Sequence, residues 1–191
     1  MKWSMVALIV LMSFLGITDT PALASDARLA ELLLEAGLTP YRTPEGIGDF
    51  TYPDVRTGEP VSFKQAFGGK VVMLNTWATW CPPCIREMPS FQALYDRFQA
   101  RGLVVLGLGY AERGGGGAQK AFAQARRFTY PMVIGRKYNE VPDFYRGFWI
   151  PQTYVIDRQG RVVGHRRFDL DWTSTGVVAL VEHLLEAPAA R

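Results

Sequence analysis

The sequence predicts an α/β fold in which a central mixed β-sheet is flanked by helices and preceded by a β-hairpin extension. Strand-like and helix-like segments alternate between residues 70 and 134, and this βαβαβ order calls for parallel strands joined by right-handed crossovers. A second hairpin pattern follows near the C-terminus. Hydrophobic residues make up 48% and charged residues 20% of the chain, which is the balance of a globular domain.

The N-terminal segment has the features of an export signal. Lys2 precedes a mostly apolar run over residues 6–17, and residues 22–24 provide a small-x-small cleavage motif. Because the run is shorter than the roughly 20 residues of a spanning helix, we predict a signal peptide over residues 1–24, with an uncleaved membrane anchor as the alternative. Export would place the protein in the periplasm or another extracytoplasmic compartment, where disulfides persist.

Three elements are predicted before the central sheet. Leucines at helical spacing in residues 26–37 indicate an amphipathic helix that ends at a glycine. Prolines and glycines in residues 39–48 predict a linker. Residues 50–55 and 61–63 flank a turn sequence, which predicts a β-hairpin at the entrance to the domain.

The central part of the chain alternates between two apolar patterns. Residues 70–77 are a mostly apolar run and residues 103–108 a second one, both typical of buried strands, and Met132–Ile134 is a shorter strand-like run. Residues 83–101 and 118–128 repeat apolar side chains every three or four positions, which predicts helices.

The C-terminal part predicts an antiparallel hairpin and a last helix. Residues 152–157 and 161–166 are strand-like runs around a glycine-containing turn, and residues 173–186 form an amphipathic helical pattern. We therefore divide the exported chain into an N-terminal helix and linker over residues 25–44 and an α/β domain over residues 45–191.

Charge and glycine content exclude several functions. The formal net charge is only +3 and the chain has no long basic run, so we expect no nucleic-acid partner. The glycines at positions 114–117 lack a following Lys-Ser or Lys-Thr, which predicts a flexible loop rather than a phosphate site. We expect no cofactor.

The two cysteines of the chain, Cys81 and Cys84, are separated by only two residues. A disulfide across so short a loop removes little chain entropy, so its spacing indicates chemistry rather than stabilisation. Half of a zinc site is the alternative, but the only histidines, His165 and His183, are distant in sequence. We expect a redox pair and no metal.

The position of the pair assigns different tasks to its two thiols. Cys81 lies where a predicted strand gives way to a helix, and a helix N-terminus stabilises the thiolate that attacks disulfides. Cys84 lies one turn inside the helix, where we expect it to be more buried and to act as the resolving thiol. Pro82 and Pro83 suit the first helical turn, because their missing N–H groups cost little there.

Two segments resemble a known family. LNTWATWCPPCIREMP, at residues 74–89, resembles the active-site signature of the TlpA/ResA-like branch of exported thioredoxins, which is related to CcmG/DsbE. IPQTYVIDRQGR, at residues 150–161, is similar to the cis-proline strand of that family. The resemblance covers roughly residues 45–187 and implies a thioredoxin fold and thiol:disulfide oxidoreductase activity.

The resemblance implies a substrate-binding region around the cysteine pair. Pro151 matches the family's cis-proline, and the backbone of Ile150 would pair with a substrate strand. We assign Trp80 to docking of an apolar part of the substrate, with Pro82 and Pro83 in the same binding region, while Trp77 is expected in the core.

The resemblance also implies a proton carrier. Glu87 lies three residues after Cys84 and matches an acidic residue that sits beneath the disulfide in ResA-like proteins, where burial would raise its pKa. The alternative is a solvated carboxylate beside Arg86. Asn75 stands where cytosolic thioredoxins carry a buried Asp, which gives Glu87 more weight as the carrier.

The predicted function is reduction of disulfides in envelope proteins, with apocytochrome c as one candidate substrate in cytochrome c maturation. The resemblance implies a CcdA/DsbD-type membrane electron donor, and we expect a monomer. A disulfide-donating oxidase of the DsbA kind uses the same cysteines in the opposite direction. A copper or haem-pathway binding protein is a further alternative. A peroxidase is disfavoured because Thr79 lies two residues, not three, before Cys81.

Overall fold

A computed structural model describes residues 21–110, 116–135 and 149–188. Within these residues a six-stranded sheet has the order β1-β8-β7-β4-β5-β6, and β2 pairs with β3 in a separate hairpin. The strands are β1 (Thr39–Gly46), β2 (Thr51–Pro53), β3 (Pro60–Ser62), β4 (Val71–Trp77), β5 (Leu103–Gly109), β6 (Met132–Ile134), β7 (Gln152–Ile156) and β8 (Arg161–Arg167). The helices are α1 (Pro21–Glu35), α2 (Phe63–Phe67), α3 (Pro82–Phe98), α4 (Gly116–Arg126) and α5 (Thr175–Glu186).

The sheet is mixed, as predicted. Strands β4, β5 and β6 are parallel, whereas β7 pairs antiparallel with both β4 and β8. Every residue of β4 and β5 is buried, which explains why both segments are nearly continuous apolar runs. The predicted βαβαβ order and the closing hairpin and helix are confirmed.

Alternate residues of β4 point into two separate cores. Val71 and Met73 join apolar side chains of α1, α3 and α5 on one face of the sheet. Val72 and Leu74 pack on the other face with side chains from the β2–β3 hairpin and α2. The polar residue Asn75 therefore faces α3, and this orientation positions the site described below.

The predicted linker over residues 39–48 was wrong for most of its length. Thr39–Gly46 is strand β1, which pairs antiparallel with β8 at the edge of the sheet. Prolines are tolerated there because an edge strand leaves one row of backbone groups unpaired, and the register shifts between Pro40 and Glu45. The proline-rich composition reflects an edge strand.

Helix α2 was not predicted, because five residues are too short to show helical periodicity. Its N-terminus is capped by Ser62, whose hydroxyl accepts a hydrogen bond from the backbone N–H of Gln65 at 3.2 Å. The flexible loop predicted at positions 114–117 is also corrected in part. Gly116 and Gly117 begin α4, while residues 114 and 115 lie outside the described residues.

Helix α1 includes the predicted cleavage motif at residues 22–24, and residues 1–20 lie outside the described residues. The signal peptide and the domain boundaries therefore stay predictions. Leu32 and Leu33 of α1 are buried in the same core as α5. None of the helices in the described part of the chain is long and apolar enough to cross a membrane.

Candidate active site

The two cysteines form a disulfide at the start of α3. Strand β4 ends at Trp77, and four residues later Cys81 caps the helix in an extended conformation. Its sulfur accepts a hydrogen bond from the backbone N–H of Cys84 at 3.3 Å. Cys81 is 3% exposed and Cys84 is fully buried, so the predicted order of burial is confirmed, by a narrow margin.

The local geometry favours negative charge on the Cys81 sulfur once the disulfide is reduced. Helix α3 is 17 residues long, and its N-terminal dipole and the N–H of Cys84 both point toward this sulfur. Pro82 and Pro83 occupy the first turn, where a backbone N–H would have no partner within the helix. Chemically, the arrangement suits Cys81 to nucleophilic attack.

The Ile150–Pro151 peptide bond is cis, as the resemblance implied. Thr76 of β4 pairs with Gln152 of β7, so Pro151 lies at the end of the sheet from which the chain leads to Cys81. Pro151 is buried and Ile150 half-buried. The structure thus brings the predicted substrate-binding residues to the same end of the sheet as the cysteine pair.

Glu87 is a carboxylate held inside the protein. It is 2% exposed and lies one helical turn after Cys84. Asn75 Nδ2–H donates to Glu87 Oε1 at 2.9 Å, and Trp172 Nε1–H donates to Glu87 Oε2 at 2.8 Å. Asn75 also donates to Thr153 Oγ1 at 3.0 Å, which fixes its amide between α3 and β7.

Burial raises the pKa of Glu87 to about 7. Loss of hydration disfavours the charged carboxylate and is the largest cause, while the hydrogen bonds from Trp172 and Asn75 oppose it by stabilising that charge. The nearby charge of Asp169 adds a smaller upward shift. Glu87 therefore changes its protonation state near neutral pH, which suits it to exchanging protons.

Glu87 is not the solvated carboxylate beside Arg86 that the sequence left as an alternative, because its side chain is buried. The guanidinium of Arg86 instead donates two hydrogen bonds to Asp169 Oδ2, at 3.0 and 2.9 Å. Arg86 is exposed while Glu87 points inward from the same helix. The two side chains leave α3 in different directions, and the Arg86 guanidinium pairs with Asp169 rather than with the Glu87 carboxylate.

Trp172 was missed by the sequence analysis. It lies just before α5, is fully buried, and stacks on Phe91 with ring centroids 4.5 Å apart. Its backbone N–H donates to Ser90 Oγ at 3.2 Å. Because Trp172 and Glu87 are 85 positions apart, no local pattern in the sequence connects them.

The remaining predicted residues differ in exposure. Trp80 is 51% exposed beside the disulfide, whereas Trp77 is 1% exposed and belongs to the core, as predicted. Pro82 is exposed and Pro83 half-buried. Among the described residues, no group of three or more His, Cys, Asp or Glu side chains could hold a metal ion.

Replacing Trp172 by phenylalanine should raise the pKa of Glu87 above its present value of about 7. The change removes the hydrogen-bond donor to Oε2 but keeps an aromatic ring against Phe91. At pH 8 we also expect a loss of about 1–3 kcal/mol of stability, since a buried acceptor loses its partner. Carboxyl titration by NMR and urea unfolding measure the two effects. An unchanged titration in Trp172→Phe would contradict the assigned contact, and exposed Trp149→Phe is the matched control.

The raised pKa of Glu87 should make the oxidised protein less stable as pH rises. Below pH 4.5 the Glu87 carboxyl is protonated in both the folded and the unfolded protein. Above pH 4.5 it ionises in the unfolded chain first, while in the folded protein it keeps its proton up to about pH 7. The shift from 4.5 to about 7 corresponds to a loss of about 3 kcal/mol that is complete above pH 7. Urea unfolding at pH 5 and pH 8 should show most of this loss in the wild type but not in Glu87→Gln; equal losses in both would refute it.

Comparison with known proteins places the chain in a family. Residues 45–165 match the model of the AhpC/TSA family. The chain belongs to the AhpC/TSA family. It is 33% identical over 146 residues to the thiol-disulfide oxidoreductase ResA of Geobacillus kaustophilus, an alignment that covers 71% of this chain and 81% of that relative. The chain therefore shares its family with a thiol-disulfide oxidoreductase.

Other alignments with curated relatives are shorter. The thiol-disulfide oxidoreductase ResA of Geobacillus thermodenitrificans is 38% identical over 96 residues, which cover 50% of this chain and 53% of that protein. The chain thus spans about half the length of this AhpC/TSA relative.

Solved structures confirm the thioredoxin fold of this AhpC/TSA protein. A thiol:disulfide interchange protein of the thioredoxin family from Chlorobium tepidum TLS superimposes with a TM-score of 0.62 at 24% identity, covering 76% of this chain and 99% of that one. A secreted thiol-disulfide isomerase from Corynebacterium glutamicum gives a TM-score of 0.64 at 23% identity, with coverage of 78% and 92%. At these identities the likeness is one of fold alone.

Proposed function

We propose that this protein reduces disulfides of extracytoplasmic proteins, with Cys81 as the attacking thiol and Cys84 as the resolving thiol. The observation that carries the proposal is the cysteine pair at the N-terminus of α3, one turn from the buried carboxylate of Glu87. This combination supplies a stabilised nucleophile at the surface end of the site and a proton acceptor at its inner end.

The proposed cycle begins with the dithiol form. The Cys81 thiolate attacks one sulfur of the substrate disulfide, forms a mixed disulfide and releases the other substrate sulfur as a thiolate. The Cys84 thiol then loses its proton and attacks the Cys81 sulfur. This second step releases the remaining substrate thiolate and leaves Cys81 and Cys84 as a disulfide, so two electrons have passed to the substrate.

Glu87 is proposed to take the proton from Cys84 during the second step. A pKa of about 7 lets the carboxylate accept a proton and return it near neutral pH. Asn75 and Trp172 each bind one oxygen of the carboxylate, so they hold its orientation without neutralising its charge. They act as positioning residues for the carrier.

The substrate strand is proposed to lie across the cis-proline loop. The backbone of Ile150 would pair with it, and Trp80, Pro82 and Pro83 would contact its side chains. Trp80 exposes half of its surface beside the disulfide, which supports its assignment to docking.

The proposed compartment and partners follow from the predicted signal peptide over residues 1–24. An exported reductase works against an oxidising environment, so it needs a membrane electron donor of the CcdA/DsbD type to restore its dithiol. Apocytochrome c is a candidate substrate, since the chain resembles proteins related to CcmG.

The reduction potential of the Cys81/Cys84 pair tests the direction of electron flow. Equilibration with glutathione redox buffers should give a potential below about −200 mV, nearer to thioredoxin than to the oxidant DsbA. The reduced protein should also precipitate insulin by reducing its disulfides. A potential near −120 mV, with no insulin reduction, would contradict the reductase and favour the oxidase.

A further inference from the structure

Two exposed aromatic side chains flank the cis-proline loop outside the catalytic groups described above. Trp149 is 57% exposed and precedes the Ile150–Pro151 bond, and Phe168 is 59% exposed immediately after β8. Their ring centroids lie 6.4 Å apart at an interplanar angle of 61°, an edge-to-face contact. In the described part of the structure the two exposed rings form one apolar patch, and a contiguous exposed apolar patch is often a binding site.

The backbone of Phe168 is held in an unfavourable conformation. Its φ is +68°, in the left-handed region that a bulky side chain rarely adopts. Its N–H donates to the carbonyl oxygen of Pro151 at 3.1 Å, which ties it to the cis-proline loop. A conformation of this kind persists where the surroundings impose it, and such positions concentrate at functional sites.

The residue that follows Phe168 is fixed as well. Asp169 Oδ2 accepts both hydrogen bonds from Arg86, the residue before Glu87 on α3. Phe168 is therefore anchored on one side to the cis-proline loop and on the other to the active-site helix. The backbone on both sides of Phe168 is therefore held in place, and the neighbouring Asp169 is paired with Arg86.

We propose that Trp149 and Phe168 form an aromatic docking surface for the polypeptide substrate, where they bind an apolar or aromatic side chain close to the cysteine that Cys81 attacks. The proposal rests on the proposed function, because it places this side chain on a strand lying along the cis-proline loop. The proposed occupant is an extended polypeptide segment that contains an accessible disulfide and an apolar residue next to the cysteine that Cys81 attacks.

The chemistry of the surface favours this occupant. Two rings in edge-to-face contact offer apolar faces and edges to a third apolar or aromatic side chain. Among the described residues, Asp169 next to Phe168 is paired with Arg86 and Arg167 on its other side is exposed, so the surface does not favour a basic segment, and the two rings favour an apolar side chain. Oxidised glutathione has no apolar or aromatic side chain next to its cysteines, so it offers nothing for the ring pair to bind.

The test compares three disulfide substrates. Two are disulfide-linked peptides that differ only in a Phe or a Ser next to the cysteine, and the third is oxidised glutathione. We expect the wild type to reduce the Phe peptide about three to ten times faster than the Ser peptide, measured as kcat/KM, which is the scale of one aromatic contact.

Trp149→Ala, Phe168→Gly and the double variant should each lower this preference, and the double variant should abolish it. Oxidised glutathione should be reduced at the wild-type rate by all three. Phe168→Gly should fold at least as stably as the wild type, because glycine adopts a positive φ without steric cost. Leu34→Ala, which removes a 63% exposed apolar side chain from α1, is the matched control.

Two failures can be told apart in this experiment. A wild type that reduces none of the three substrates contradicts the proposed function itself. A wild type that reduces all three without preferring the Phe peptide, or a double variant that keeps the preference, overturns the docking surface and leaves the function standing.

Discussion

Replacing Cys81 by serine is expected to abolish disulfide reduction. The hydroxyl of serine fits the same helix-capping position but does not ionise near neutral pH, so no nucleophile is present to form the mixed disulfide. We expect the rate of insulin reduction to fall by at least about a thousandfold, the scale seen when the nucleophile of a covalent mechanism is removed. The remaining rate should equal that of the reductant alone.

Cys84→Ser is the matched control for this prediction. It should also lose multiple turnover, but it keeps the Cys81 thiol and should therefore release one substrate thiol per protein molecule in a single rapid phase. Thiol release measured in a stopped-flow instrument separates the variants. A rapid phase in Cys81→Ser that matches the phase in Cys84→Ser would show that Cys81 is not the attacking group.

Replacing Glu87 by glutamine is expected to slow resolution of the mixed disulfide by about a hundredfold at pH 7, the lower end of the range for general acid–base catalysis. Glutamine has nearly the same volume but cannot accept the Cys84 proton. In the wild type the rate should rise with pH through an inflection near 7, where Glu87 ionises. The variant should lack that inflection.

The deficit of Glu87→Gln should shrink as the pH rises above the reference pKa of a cysteine thiol, about 8.5, because hydroxide increasingly replaces Glu87 as the acceptor of the Cys84 proton. Glu182→Gln is the control, since Glu182 is a solvent-accessible carboxylate of α5 that pairs with Arg97 of α3. Rate against pH in single-turnover reduction of a peptide disulfide is the measurement. A constant deficit at every pH would mean that Glu87 supports the structure and carries no proton.

The order of strands and helices was predictable because each central element carries its own periodicity. Strands β4 and β5 are almost entirely apolar because both faces of the sheet are covered, and α3 repeats its apolar side chains at helical spacing. The edge strand β1 was not predictable in this way. Only one neighbour constrains it, so prolines are allowed and its sequence looks like a linker.

The chemistry of the site was predictable where it depends on short motifs. The spacing of Cys81 and Cys84 places both at the start of one helix, and the resemblance identified Glu87 and the cis-proline Pro151. Contacts between segments that are far apart in the sequence could not be predicted. Trp172 meets Glu87 only after α5 has packed against α3, and Phe168 reaches Pro151 only through the pairing of β7 with β8.

The central claim is that Cys81 attacks and Cys84 resolves, and trapping of mixed disulfides tests it most directly. Reduced Cys84→Ala and reduced Cys81→Ala are each mixed with a peptide disulfide, quenched with acid and examined by intact mass. We predict a stable adduct of one peptide on Cys84→Ala and none on Cys81→Ala, whose remaining thiol is fully buried in the native pair. An equal or larger adduct on Cys81→Ala would contradict the account.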